Sequence, residues 1–240
     1  MPTNRLLLLE KVARGLDDLL NKVVFIGGAS MDLYVSPDAA TENRPSGVID
    51  CIIGSLALPD YARWEQLLLA RGFEQQEAVG DCRNLWAYQG IRLNVLARER
   101  EALGYDYRWF DEGVFHAQSF SLPGGQQIKT FATPYFIAAK IESFLRRSGG
   151  DFRTSEDFED LVFVLANRED ISKELCGAFH EVRQYLQSHF QRFLRNPGLE
   201  EGLYWVLSRG VDEGEVQRIK SLMRQVADFN ANFNWRQEYA

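Results

Sequence analysis

The stretch FIGGASMDLYV, residues 25–35, runs an apolar segment straight into Gly27, Gly28 and Ser30. Glycines let a backbone turn tightly and come close to a ligand. A helix that begins there offers unpaired N–H groups and a positive dipole end. With the Ser30 hydroxyl added, the stretch is a candidate cradle for the phosphates of a nucleoside triphosphate. A Gly-Gly pair alone more often marks a plain strand-to-helix turn. A second apolar run, VIDCII at 48–53, carries Asp50. Carboxylates at alternate strand positions point to one side and hold divalent metals. A third from a neighbouring strand completes a clamp on the attacking and leaving oxygens of a nucleotidyl transfer. Asp50 is therefore the candidate metal ligand and catalytic acid.

The elements that must position these residues follow from periodicity. Leu7, Leu8, Val12, Leu16, Leu19 and Leu20 recur close to every 3.6 residues and predict an amphipathic helix over 4–21. VVFI at 23–26 predicts a short strand buried on both faces, with a helix over ASMDLYV directly after the glycines. Residues 36–46 read as loop, and Pro59 opens a helix to about Ala70. NLWAYQGIRLNVLA alternates around Gln-Gly and predicts a hairpin, as does SFSLPGGQQIKTFA. From Thr133 the pattern is helical: 134–147, 155–166, 170–194, and 199–228 with a break near Gly210. The expected organisation is an α/β core over 1–130 and a helical part over 131–240 packed on it. The stretch RRSGGDFRTS is read as joining two packed helices.

Taken in this order, FIGGAS…RPSGVIDCII resembles the nucleotidyltransferase superfamily, whose pattern is a Gly-Gly or Gly-Ser turn followed by a D-x-D strand. More closely, the chain resembles the AbiEii/AbiGii-type nucleotidyltransferase toxins. TPYFIAAKIESFLRRSGGDFRTSEDFEDLVFVL, residues 133–165, is similar to that family's downstream helices. The likeness covers roughly residues 20–170. It implies an α+β fold: a mixed sheet flanked by helices, followed by a C-terminal helical bundle. It implies that Gly27, Gly28 and Ser30 face nucleotide phosphates and that Asp50 is the second acid of the D-x-D strand. Lys140 would match the lysine that meets the triphosphate, and Asp157 or Asp160 the downstream acid. Magnesium and a nucleoside triphosphate are the implied cofactor and substrate, with an RNA acceptor or an antitoxin protein as further partners.

The departures from the pattern decide the expected function. Val48 stands at the first acid and Asn94 at the third, so Asp50 alone survives of three. Losing even one preorganised electrostatic stabiliser costs about a hundred- to a thousandfold in rate. The expected protein binds a nucleoside triphosphate with impaired or absent transfer. The alternative is an active, magnesium-dependent toxin that transfers a nucleotide to RNA or protein, with Asp32, Asp38 or Glu42 substituting for a lost acid.

Lys140 and Asp157, candidate catalytic residues with Asp50, have a plain reading of equal weight, as does Asp160; the remaining chemistry-bearing residues favour their plain roles. Lys140 flanks an apolar stripe of Phe136, Ile137, Ile141, Phe144 and Leu145, where a lysine usually keeps its ammonium in water. Asp157 and Asp160 share a face at a helix start, where the dipole favours carboxylates, so capping and solvation are enough to explain them. His116, His180 and His189 lack metal-like spacing, and Cys51 is read as a small core residue. Tyr105, Tyr107, Trp109 and Phe110 read as a packed aromatic cluster, and Trp205 and Trp235 as helix-packing anchors. A net charge of −7 argues against bulk nucleic-acid binding, although Arg146, Arg147 and Arg153 make a local basic run. Three widely spaced cysteines, no long apolar segment and no cleavage site predict a soluble cytoplasmic protein without membrane contact.

Overall fold

The Thr3 side chain accepts a hydrogen bond from the Leu6 N–H at 3.3 Å and so caps the first helix, α1 (Asn4–Leu16). A computed structural model describes residues 3–36, 39, 47–53, 61–79, 84–96, 108–207 and 213–230. The chain divides into two units, Met1–Ala132 and Thr133–Ala240. The boundary falls two residues beyond the expected one.

In the first unit, α1 is shorter than the predicted helix because the chain tightens into a 3-10 segment, Asp17–Lys22. Strands β1 (Val23–Ile26) and β2 (Ile49–Ile53) follow as the apolar runs require. Helix α2 (Tyr61–Ala70) ends at Gly72, whose φ of +79° suits a residue without Cβ. Strands β4 (Leu85–Tyr88) and β5 (Ile91–Leu96) form the predicted hairpin. Gln89 and Gly90 between them both have positive φ, as a twisted two-residue turn requires. A two-residue edge strand, β3 (Glu74–Gln75), and a short helix, α3 (Phe110–Phe115), carried no periodic signal. The second hairpin is β6 (Gln118–Ser121) with β7 (Gln127–Thr130).

The described strands make one mixed sheet in the order β3-β4-β5-β2-β1-β7-β6. β2 pairs antiparallel with β1 and parallel with β5. Side chains alternate across it. One face presents Val23, Phe25, Cys51, Trp86, Leu93 and Val95 to Leu9, Val12 and Leu16 of α1 and Trp64 and Leu68 of α2, all within one buried cluster. Leu122 and Ile128 belong to the same cluster. The other face carries Ile26, Asp50 and Asn94 in one row.

The second unit is helical: α4 (Thr133–Arg147), α5 (Glu156–Asn167), α6 (Ile171–Cys176), α7 (His180–Arg195), α8 (Gly198–Leu207) and α9 (Glu213–Ala227). The single helix expected over 170–194 is two. Gly177 ends α6, and Phe179 adopts an extended ψ of 147° before α7 begins. Arg183 donates to the carbonyls of Cys176 and Ala178, groups that a continuous helix would have paired. Likewise, Gln187 and Gln191 of α7 donate to Phe229 and Ala227 at the end of α9.

RRSGGDFRTS joins α4 to α5, and Phe152 within it packs against both helices. Its ring lies 5.0 Å from Phe144, 4.8 Å from Phe158 and 5.3 Å from Phe193. Trp205 departs from its expected packing role, being 65% exposed, and Trp235 lies outside the described residues.

Gly202 of α8 fits only because it lacks a side chain. A Cβ there would sit 2.3 Å from Phe152 Cβ and 3.1 Å from its carbonyl oxygen. Alanine gains about 1 kcal/mol of helix propensity over glycine. Overpacking against backbone costs about 1–3 kcal/mol and here wins. Gly202→Ala is expected to lower the thermal midpoint followed by circular dichroism, although alanine is the better helix former.

Candidate functional site

The glycine turn is where the sequence placed it. Gly27 has φ +75° and ψ −165°, a region that is essentially glycine's alone and costs other residues roughly 1–3 kcal/mol. A Cβ at Gly27 would also lie 3.1 Å from Asp50 Oδ2, so the turn passes directly over that carboxylate. The turn leads into a 3-10 segment, Gly28–Tyr34, in place of the expected α-helix. Its dipole spans only roughly two turns at three residues per turn. The Ser30 N–H and hydroxyl both donate to the Gly27 carbonyl, at 3.2 and 2.9 Å, and Ser30 is fully buried. The hydroxyl thus tightens the turn. The Gly28 and Ala29 amides precede that first hydrogen bond and are the donors the turn can offer.

Two anchors hold this segment. Asp32, weighed in the sequence as a replacement acid, is instead committed to α1. Its carboxylate accepts from Thr3 Oγ1 at 2.5 Å, from Arg5 Nε at 3.1 Å and from Arg5 Nη2. With its side chain wholly buried, it has no route to a metal site. Tyr34 hydrogen-bonds with Thr130 Oγ1 at 2.6 Å and donates to the Phe131 carbonyl at 2.9 Å, tying the segment to the end of β7. Asp38 and Glu42 lie outside the described residues.

Register brings Asp50 opposite Ile26 on β1 and opposite Asn94 on β5. Asn94 Nδ2 donates to Asp50 Oδ1 at 2.8 Å. Asn94 Oδ1 is buried and has no hydrogen-bond partner among the described residues. An amide N–H aimed at the carboxylate is a donor, not a ligand. One carboxylate so engaged, beside an apolar Val48, does not suit a clamp that holds two divalent cations. Among the described residues, no group of three His, Cys, Asp or Glu side chains is placed to hold a metal. Cys51, next in the strand, faces the core. Burial, and then the charge of Asp50, pushes its thiol far up, which removes it as a nucleophile.

The remaining candidates meet in the helical unit. Lys140 is buried, contrary to the expected solvated ammonium. Its Nζ donates to Asp157 Oδ1 at 2.9 Å and Asp160 Oδ2 at 2.6 Å. Asp157 and Asp160 are buried as well, so solvation does not account for them. Capping falls to Ser155, whose hydroxyl accepts from the Phe158 N–H at 3.2 Å. Arg147 lies 3.7 Å from Asp157, and Arg153 pairs with Asp151 and Glu201. The basic run is thus largely neutralised. Burial works against the charge on Lys140, but the carboxylates of Asp160 and Asp157 outweigh it and hold the ammonium above the ordinary lysine value of 10.5.

Of the aromatic cluster, Trp109 and Phe110 are buried, and Phe110 meets Phe131 edge to face, while Tyr105 and Tyr107 lie outside the described residues. The sequence reading missed Thr3 and Arg5, whose partner is far along the chain. It also missed Arg92, which strand parity with Asn94 alone would have brought to notice.

No family model matches the sequence, and no curated protein matches it. Among solved structures, the chain is similar to that described as the crystal structure of JHP933 from Helicobacter pylori. The TM-score is 0.50 at 12% identity, covering 100% of this chain and 97% of that one. The likeness concerns the fold: a mixed α/β unit with a seven-stranded sheet flanked by helices, and a helical C-terminal region. Among the described residues, no helix is long and apolar enough to cross a membrane.

Removing one partner of a buried ion cluster leaves uncompensated charge and costs about 3–5 kcal/mol. Lys140→Met is expected to destabilise the helical unit on that scale in urea unfolding, and Asp157→Asn with Asp160→Asn in the same chain is expected to recover part of the loss. The pH dependence has a defined sign. Because the folded value is raised, the lysine contribution is fully present below pH 10.5 and is lost as pH rises through the folded value. Unfolding midpoints of wild type and Lys140→Met should therefore converge only in strongly alkaline buffer.

Proposed function

We propose that this protein is a nucleotidyltransferase-fold, AbiEii-like nucleotide binder whose transfer activity is impaired or absent. One observation carries the reading. The glycine turn crosses directly over Asp50, and the neighbouring strand presents to that carboxylate the amide of Asn94 in place of another acid. The turn keeps what phosphate binding needs: a close backbone approach at Gly27 and leading amides at Gly28 and Ala29. Among the described residues, the row around Asp50 offers too little negative charge to suit two cations around a reacting phosphate, which supports impaired transfer. The order of the motifs in the sequence supports the family resemblance, and the fold likeness is compatible with it. In this reading the ligand is a nucleoside triphosphate, and an RNA acceptor or an antitoxin protein is the partner to seek. A soluble, cytoplasmic location is part of the proposal; the free thiols of Cys51 and Cys176 are compatible with it.

Incubation with magnesium, labelled nucleoside triphosphates, and pools of RNA or protein decides between the two activities. No label transfer is expected, together with a thermal shift on adding a triphosphate. Transfer that Asp50→Ala abolishes would instead establish an active magnesium-dependent enzyme.

A further inference from the structure

The face of the sheet that carries Asp50 and Asn94 also carries a cation. In the parallel pairing of β2 with β5, Ile49 stands opposite Leu93 and Asp50 opposite Asn94. One residue earlier on each side come Val48 and Arg92. Side chains two apart on a strand share a face, so Arg92 projects from the same side as Asn94, roughly 7 Å away along β5. It is exposed. Its Nε donates to the Gly47 carbonyl at 3.1 Å, which holds the guanidinium beside the Gly47–Val48 backbone. Both Nη groups are without partners among the described residues. Where a metal site needs its second carboxylate, this chain has an apolar side chain next to a fixed positive charge.

We propose that Arg92 takes the role a divalent cation has in nucleotidyl transfer: the site holds the phosphate tail of a nucleoside triphosphate through direct guanidinium–phosphate hydrogen bonds, without a divalent cation. The proposal rests on the nucleotide-binding reading and specifies how that binding is achieved. The charge balance favours it. Arg92 offsets the charge of Asp50, and the guanidinium repels a dication drawn toward that carboxylate. A guanidinium never loses its charge at working pH, and its planar fork matches two phosphate oxygens at once. Asp50 by itself would repel a phosphate. Its Oδ1, however, already accepts from Asn94, and its Oδ2 lies under the Gly27 backbone.

The test is titration calorimetry of the full chain with ATP, GTP, CTP, UTP and inorganic tripolyphosphate, each in magnesium and in EDTA. For the nucleotide that binds, the two dissociation constants should agree within about threefold. Arg92→Gln should weaken binding about ten- to a hundredfold in both buffers, the effect of losing hydrogen bonds to a charged group. Arg92→Lys, which keeps the charge and loses the fork, should fall between. Unchanged thermal midpoints for both variants would show that the loss is local, as expected for an exposed side chain. Binding seen only with magnesium, or binding that Arg92→Gln leaves intact, overturns the proposal while nucleotide binding itself stands. Absence of any triphosphate binding in either buffer removes the nucleotide reading and this proposal with it.

Discussion

The backbone ladder through β1, β2 and β5 constrains everything of chemical interest in the first unit. It sets Ile26, Asp50 and Asn94 in one row, with the chain turning over that row at Gly27. A slip of one residue in either pairing would send Asp50 or Asn94 into the apolar cluster below, where a charge has no partner. The register is pinned by that cluster, because Phe25, Cys51, Leu93 and Val95 must all face it. Asp50 is therefore held in place by its neighbours' hydrophobicity, and its surroundings follow from which residues the row happens to contain.

Buried ionic contacts organise both units in a way that sequence neighbours do not reveal. In the first, Thr3 and Arg5 at the start of α1 hold Asp32 just past the glycine turn, 27 and more positions along the chain. In the second, Lys140 draws Asp157 and Asp160 against α4. Such clusters contribute little net stability against an apolar alternative, since desolvation offsets most of the attraction. What they contribute is geometry. Each partner is satisfied in one arrangement, and any other leaves a buried charge exposed to the low-dielectric interior.

Much of the fold was legible because its signals are local. Apolar runs bounded by glycine marked β1 and β2, and the Gln-Gly pair marked the β4–β5 hairpin because those positions must take positive φ. Helical periodicity located α4 and α5 within a residue or so of their ends. The failures have physical causes as well. The 3-10 segments carry the same apolar spacing as α-helix over so few residues that period does not separate them. The break at Gly177 depends on Arg183 reaching back to pair the freed carbonyls. Strand β3 is two exposed polar residues whose extension follows from pairing with β4 alone.

By itself the sequence determined the inventory: a glycine pair after a strand, one acid in the next strand, and Val48 and Asn94 where charge was wanted. Composition and spacing are enough for that, because they depend only on which residues are present and in what order. Tertiary structure decided how each residue is employed. It turned Asp32 from a spare acid into an anchor, took the Lys140 ammonium out of water, and set Arg92 on the same face as Asp50. Partner choice is a matter of distance in space, and strand register and helix packing set those distances between residues that the chain itself keeps far apart.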